Sequence, residues 1–173
     1  MKDGDAAIVR PPAQSHVRIR EVEDADLDAF YEHQRDPEAV RMAAFPARDR
    51  EAFMAHWARI RADDTCIVQA IEVDGRVAGN IGIWEQSGRH LVGYWIDRQD
   101  WGRGIATAAL TLCLGKVTTR PLHAHVAVAN VGSIRVLEKC GFRRLPDDDP
   151  EALTIGEDGV EEFLLVLESD DGS

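Results

Sequence analysis

Residues 16–20 (His-Val-Arg-Ile-Arg) alternate between apolar and polar side chains, the two-residue period of a half-buried strand, and predict a first strand. The period then lengthens. Leu27, Phe30 and Tyr31 fall on one face of a helix that Asp24 or Asp26 would cap, and Pro37 opens a short helical turn through Met42. A further helix from Asp49 carries Phe53, Trp57 and Ile60 at i, i+4 and i+7, a stripe that reads as core. Three strand-like runs follow at 66–73, 76–84 and 90–96, separated by the turn signal Asp74-Gly75 and by residues 86–89. They form an antiparallel meander.

From Ile105 the helical period returns, with Ile105, Ala109, Leu112 and Ala106, Leu110, Cys113 burying one side. Arg120-Pro121 breaks it, and residues 122–128 form a strand parallel to the third because a helix intervenes. A last helix from Asn130 ends at Gly141, with Phe142 packing back on its final turn. Residues 147–150 read as an acidic loop and 161–167 as the final strand. The pattern gives a mixed α/β sheet, mostly antiparallel. Residues 1–14, with Pro11-Pro12, read as a flexible tail, 15–168 as a single domain and 169–173 as a polar tail.

Composition narrows the partners. A 173-residue chain that is 45% hydrophobic has enough apolar surface to bury a core without staples. A net charge of −11 argues against nucleic acid, whose phosphates are held by clustered Lys and Arg, and suits a cationic substrate better. Cys66, Cys113 and Cys140 lack metal-ligand or CxxC spacing and read as reduced, buried thiols. The first residues carry no apolar run of signal length, and no stretch reaches membrane-span length. The expectation is a soluble cytoplasmic protein, monomer or homodimer, without a metal.

The candidate chemistry lies in residues 94–114, a strand end, a turn and a helix start. Gly102 and Gly104 flank Arg103, so the backbone turns tightly and approaches a ligand with no Cβ between. The following helix N-terminus offers unpaired N–H groups to an anion such as a diphosphate, beside the charge of Arg103. No Gly-Lys-Ser/Thr follows the glycines, which makes phosphoryl transfer a poor reading.

The run Gln99-Asp100-Trp101-Gly102-Arg103-Gly104-Ile105-Ala106 resembles the Q/R-x-x-G-x-G/A signature of the GCN5-related N-acetyltransferases, in the form of their ribosomal-protein N-terminal acetyltransferase branch. A second block, from Asn130 through Ser133, Val136 and Lys139 to Gly141-Phe142, resembles the family's later N-x-x-S-x-x-V-x-x-K-x-G-F motif. The resemblance spans residues 16–167. It implies two parallel central strands that splay apart, with acetyl-CoA in the gap as cosubstrate. Trp95, Ile96, Asp97, Arg98, Gln99, Gly102, Arg103, Gly104, Ile105, Ala106, Asn130 and Arg135 are then the cofactor-binding candidates.

The implied reaction moves the acetyl group to a primary amine, on a protein N-terminus or a small molecule, by direct attack in a ternary complex. Many members use a Tyr at the position held here by Leu137, so this chain lacks that phenol. In the branch it resembles more closely a Ser serves as the acid, which corresponds to Ser133. A helix cap is the alternative role for Ser133, and Asn130 could cap the helix or bond a pantetheine amide. Glu72, Glu85, His90, His123 and His125 are candidate bases that no spacing separates. A catalytically silent acyl-CoA sensor or scaffold is the competing reading.

Overall fold

The computed structural model describes residues 15–43 and 46–170, so the tail expected at residues 1–14 lies outside the described residues. The chain runs β1 (Val17–Glu21), α1 (Asp26–Arg35), α2 (Pro37–Ala43), α3 (Arg50–Ala62), β2 (Ile67–Val73), β3 (Arg76–Gln86) and β4 (Arg89–Ile96). After a 3-10 turn at Arg98–Asp100 come α4 (Ile105–Lys116), β5 (Leu122–Ala127), α5 (Val131–Lys139), β6 (Arg143–Arg144), β7 (Leu153–Ile155) and β8 (Glu161–Leu167). Among the described residues the strands form one sheet in the order β1-β2-β3-β4-β5-β8-β6, with β7 also on β8. Only the β4–β5 neighbours are parallel.

The two hairpins follow from local chemistry. Asp74 and Gly75 (φ 51° and 80°), and Ser87 and Gly88 (φ 53° and 78°), take the paired left-handed conformations of two-residue turns whose twist matches the strands. Alternation along β2 then sends neighbours to opposite faces. Ile71 joins Ile81, Ala109, Leu110 and Leu137 in the core under α4 and α5, whereas Ala70 joins Phe30, Phe53 and Trp57 under α1 and α3. The fold is therefore three layers, helices on both faces of a mostly antiparallel mixed sheet. Burying each of the larger aliphatic side chains contributes about 1.5–3 kcal/mol.

Helix ends are set by named groups. Asp49 caps α3 by accepting from Ala52 N at 2.8 Å, and Asn130 caps α5 by accepting from Ser133 N at 3.1 Å. At the other end of α5, Gly141 N donates to Glu138 O (3.1 Å) and Phe142 N to Leu137 O (3.0 Å), a full Schellman closure with Phe142 buried beneath it.

Three sequence expectations are corrected. Neither Asp24 nor Asp26 caps α1, whose N-cap is Ala25 without a side-chain bond. Asp26 is buried and takes both guanidinium nitrogens of Arg20 (2.7 and 2.8 Å) and the Glu23 N–H, while Asp24 binds Arg61. A carboxylate engaged by a half-buried arginine is unavailable to a helix end. Leu112 is 39% exposed, because α4 is apolar all round and its buried face is set by Ile105, Ala109, Leu110 and Cys113. The stretch 143–155 contains two short strands, β6 and β7, on either side of the expected acidic loop.

Candidate functional site

β4 and β5 pair only at His90 with Leu122 and Leu91 with His123. Beyond that point the strands diverge, and the β4 edge from Val92 to Ile96 faces a gap in which amide-bearing ligands find backbone partners. A Cβ on Gly79, in β3, would lie 2.0 Å from the Trp95 carbonyl oxygen, and one on Gly93, in β4, would lie 2.9 Å from Trp84 Cη2, so both glycines let β3 and β4 approach closely here.

At the end of β4 the chain turns into the loop that opens α4. Asp97 N donates to Ala78 O (2.7 Å) and Trp101 Nε1 to Ile96 O (3.0 Å), which anchors both ends of the 3-10 turn. Gly102 (φ 73°) and Gly104 (φ 76°) are left-handed, and a Cβ on either would meet nothing within 4 Å. Glycine is required there by conformation, and the space over the loop is open. Gly104 is the N-cap of α4 and supplies no side chain, so the first N–H groups of the helix, from Ile105 and Ala106 onward, are left for a ligand.

The loop's charged side chains are already partnered. Asp100, whose side chain is fully buried, accepts from Arg76 (2.7 and 2.9 Å) and from Arg103 Nη1 (2.6 Å), and Arg103 Nη2 reaches Ser15 Oγ (2.7 Å). Arg98 lies 3.5 Å from Asp36, and Gln99 donates to Asp97 at 2.5 Å. Arg135 is exposed on α5, Trp95 is half-buried and Ile96 is buried. The donors the loop leaves free are therefore chiefly backbone N–H groups, with the arginines holding the loop in shape.

Across the gap stands Ser133. Its backbone N–H, not its hydroxyl, completes the α5 cap, so the cap belongs to Asn130, whose amide nitrogen stays available to a ligand. The Ser133 Oγ instead shares a 2.7 Å hydrogen bond with the Tyr94 hydroxyl from β4. Burial pushes the Tyr94 phenol up to about 12, against the opposing effect of Ser133, so it is neutral at physiological pH. Tyr94 had been legible only as part of the strand edge; nothing in the sequence joins residue 94 to residue 133.

A cavity of about 1000 Å³ opens on the α3 face of the sheet, with Tyr94 among its lining residues. Trp57, Trp84 and Trp95 line it, together with Glu85, His125 and Glu162. Of the other candidate bases, Glu72 is pinned by Arg18 and Arg20 at the β1–β2 end of the sheet, and His90 sits where β4 and β5 are still paired. His123 Nδ1 is buried without a partner. Glu162 went unremarked in the sequence because its neighbour His125 lies on another strand.

The open glycine loop, the bare helix start and the unpaired β4 edge fit a CoA diphosphate and pantetheine, which when bound supply the activated acyl group. The model of the acetyltransferase (GNAT) domain matches residues 16–143. The chain belongs to the GNAT acetyltransferase family. No curated protein matches it. Among solved structures, spermidine N-acetyltransferase from Vibrio cholerae in complex with CoA and spermine is similar at TM-score 0.72 and 15% identity, over 88% of this chain and 95% of that one. Mycobacterium smegmatis RimJ in complex with CoA-disulfide is similar at 0.70 and 22%, over 90% and 83%. The aminoglycoside acetyltransferase AAC(6')-Ib in complex with coenzyme A is similar at 0.72 and 15%, over 88% and 95%. At these identities the likeness concerns the GNAT fold. Among the described residues no helix is long and apolar enough to cross a membrane, and no group of His, Cys, Asp or Glu suits a metal.

Proposed function

We propose that this GNAT protein transfers the acetyl group of acetyl-CoA to a primary amine, on a peptide N-terminus or a small molecule, by direct attack in a ternary complex. The observation that carries the reading is the Tyr94–Ser133 hydroxyl pair set in the gap between β4 and β5, beside the open glycine loop. Backbone donors at the start of α4 hold the diphosphate, and the β4 edge pairs with the pantetheine amides. N–H groups of that edge polarise the thioester carbonyl. Ser133 delivers a proton to the departing sulfur and is reprotonated through Tyr94.

The wider reading follows from the same residues. The Trp-Gly-Arg-Gly-Ile-Ala loop with Ser133 supports a place beside the ribosomal-protein N-terminal acetyltransferase branch. The spermine and aminoglycoside chemistry of the structural neighbours supports small amines equally. Three free cysteines suit a cytoplasmic setting. The deciding experiment is thiol release from acetyl-CoA against peptides, polyamines and aminoglycosides, with acetyl-CoA binding followed by calorimetry. Turnover on one class is expected. In Gly104→Glu, bulk and negative charge fill the anion site, and acetyl-CoA affinity is expected to fall at least about tenfold. Unchanged affinity in that variant would refute the placement of the diphosphate. Binding by the wild type with no turnover on any amine would instead favour the sensor alternative.

A further inference from the structure

We infer that Glu162, backed by His125, receives the acceptor amine in the tryptophan-walled cavity and takes its proton. The inference rests on the acetyl-transfer reading above and supplies the base that no sequence motif identified.

Position is the first argument. Glu162 lies at the start of β8, opposite Ala127 at the end of β5, on the face of the sheet that lines the cavity. Tyr94 and Trp95, at the edge of the strand gap, line the same cavity. An amine resting on Glu162 therefore shares one continuous space with the β4 edge at Tyr94 and Trp95. The cavity is the right kind of container for such a guest: three indole rings offer apolar and cation-binding faces, and Glu85, Glu157 and Asp158 add negative charge around the wall.

The chemical setting is the second argument. Glu162 keeps 21% of its side chain exposed and has the His125 Nδ1 3.8 Å away. The groups facing it are His125 from β5 and Glu157 and Asp158 from the loop between β7 and β8. Burial, reinforced by the two neighbouring carboxylates and opposed by His125, raises its proton affinity above that of an ordinary glutamate. A carboxylate shifted toward neutral pH is a better general base than an exposed one. The wall is fitted to it as well, since a Cβ on Gly156 would lie 2.9 Å from Glu162 Oε1.

The proton balance closes. An ammonium acceptor gives one proton to the Glu162 carboxylate, which passes it by His125 to solvent. The freed lone pair forms the N–C bond at the thioester carbon, the C–S bond breaks, and the sulfur takes a proton from Ser133. As the amide forms, the nitrogen sheds its second proton to Glu162, again a carboxylate, and through it to solvent, while Ser133 regains a proton through Tyr94, so one proton is released overall.

The test uses the full chain with acetyl-CoA and the best acceptor from a panel of spermine, kanamycin and an Ala-leading peptide. Glu162→Gln, which retains shape and removes the base, is expected to lower kcat about 100-fold, to abolish the acidic limb of the pH–rate profile and to leave acetyl-CoA affinity by calorimetry unchanged. Glu162→Asp, which restores a carboxylate, should recover part of kcat and the limb, and His125→Gln should lower kcat less than Glu162→Gln. A Glu162→Gln enzyme with wild-type kcat and the same acidic limb overturns the inference while leaving acetyl transfer intact. Loss in Glu162→Gln and Glu162→Asp alike, with a lowered melting temperature in both, marks Glu162 as structural and also overturns it. No turnover by the wild type on any acceptor removes the function and this inference together.

Discussion

The Tyr94–Ser133 contact decides more about this molecule than any other pair of side chains. Both hydroxyls are held by one another at 2.7 Å, and the phenol is half-buried. Replacing Tyr94 by Phe removes the partner that orients Ser133 and costs about 1 kcal/mol of stability. If the pair carries the proton to sulfur, Ser133→Ala and Tyr94→Phe each lower kcat more than they raise KM. The double variant then loses little beyond the worse single one, because the two act as a unit. Steady-state kinetics of the three variants with melting curves checks this, and additive losses in kcat would show that the hydroxyls act separately. The glycines separate by cause in the same way. Gly79→Ala drives a methyl into the Trp95 carbonyl and is expected to cost about 3 kcal/mol, since backbone cannot step aside. Gly102→Ala meets no atom and costs about 1 kcal/mol from its left-handed φ alone. Chemical denaturation of the two ranks these effects.

At the scale of elements the loop before α4 is a braced structure. Asp100 is buried between Arg76, from the start of β3, and Arg103 within the loop, so one carboxylate ties the loop to the sheet. Asp100→Ala leaves two cations without their acceptor. They are 45% and 41% exposed and rehydrate in part, which brings the expected cost to about 2 kcal/mol. Acetyl-CoA affinity should fall as well, by calorimetry, because the backbone donors are no longer preset. Unaltered affinity would mean the loop keeps its shape without the brace. This arrangement also shows where sequence reading stops. Turns, caps and strand alternation are local, so Asp74-Gly75, Asn130 and Gly141 were legible from their neighbours alone. The glycine loop was legible as a backbone device for the same reason. The partners of Arg103 were not, since Ser15 is 88 residues away and Asp100 reads equally well as a surface residue. Leu112 failed for another cause: in a helix apolar on every side, periodicity cannot say which face is buried. Tyr94–Ser133 and His125–Glu162 are products of strand order, and no spacing encodes them.

The whole molecule carries fully or partly buried imidazoles on α1, α3 and β5, and these fix how it answers to acid. His56 on α3 is held down to about 4, by burial first and then by Arg48 and Arg59. His33 and His123 are also lowered by burial, and each leaves a buried Nδ1 without a partner. These rings are neutral in the folded chain, whereas in the unfolded chain they protonate near the ordinary value of about 6.5. Between those limits the unfolded state binds more protons, so stability rises with pH there. It is fully present above about pH 6.5 and is lost as pH falls toward about 4. Asp26 and Glu72, held below the usual carboxylate range by Arg20, extend the loss to lower pH, because each must be protonated against its arginine. The melting temperature should therefore be flat from pH 8 to 7 and fall steadily from 6.5 to 4.5. His56→Gln should make that fall shallower without removing it, since His33 and His123 still titrate. A melting temperature that stays level down to pH 5, or a His56→Gln slope equal to the wild type's, would mean that the imidazoles open to water before the chain unfolds.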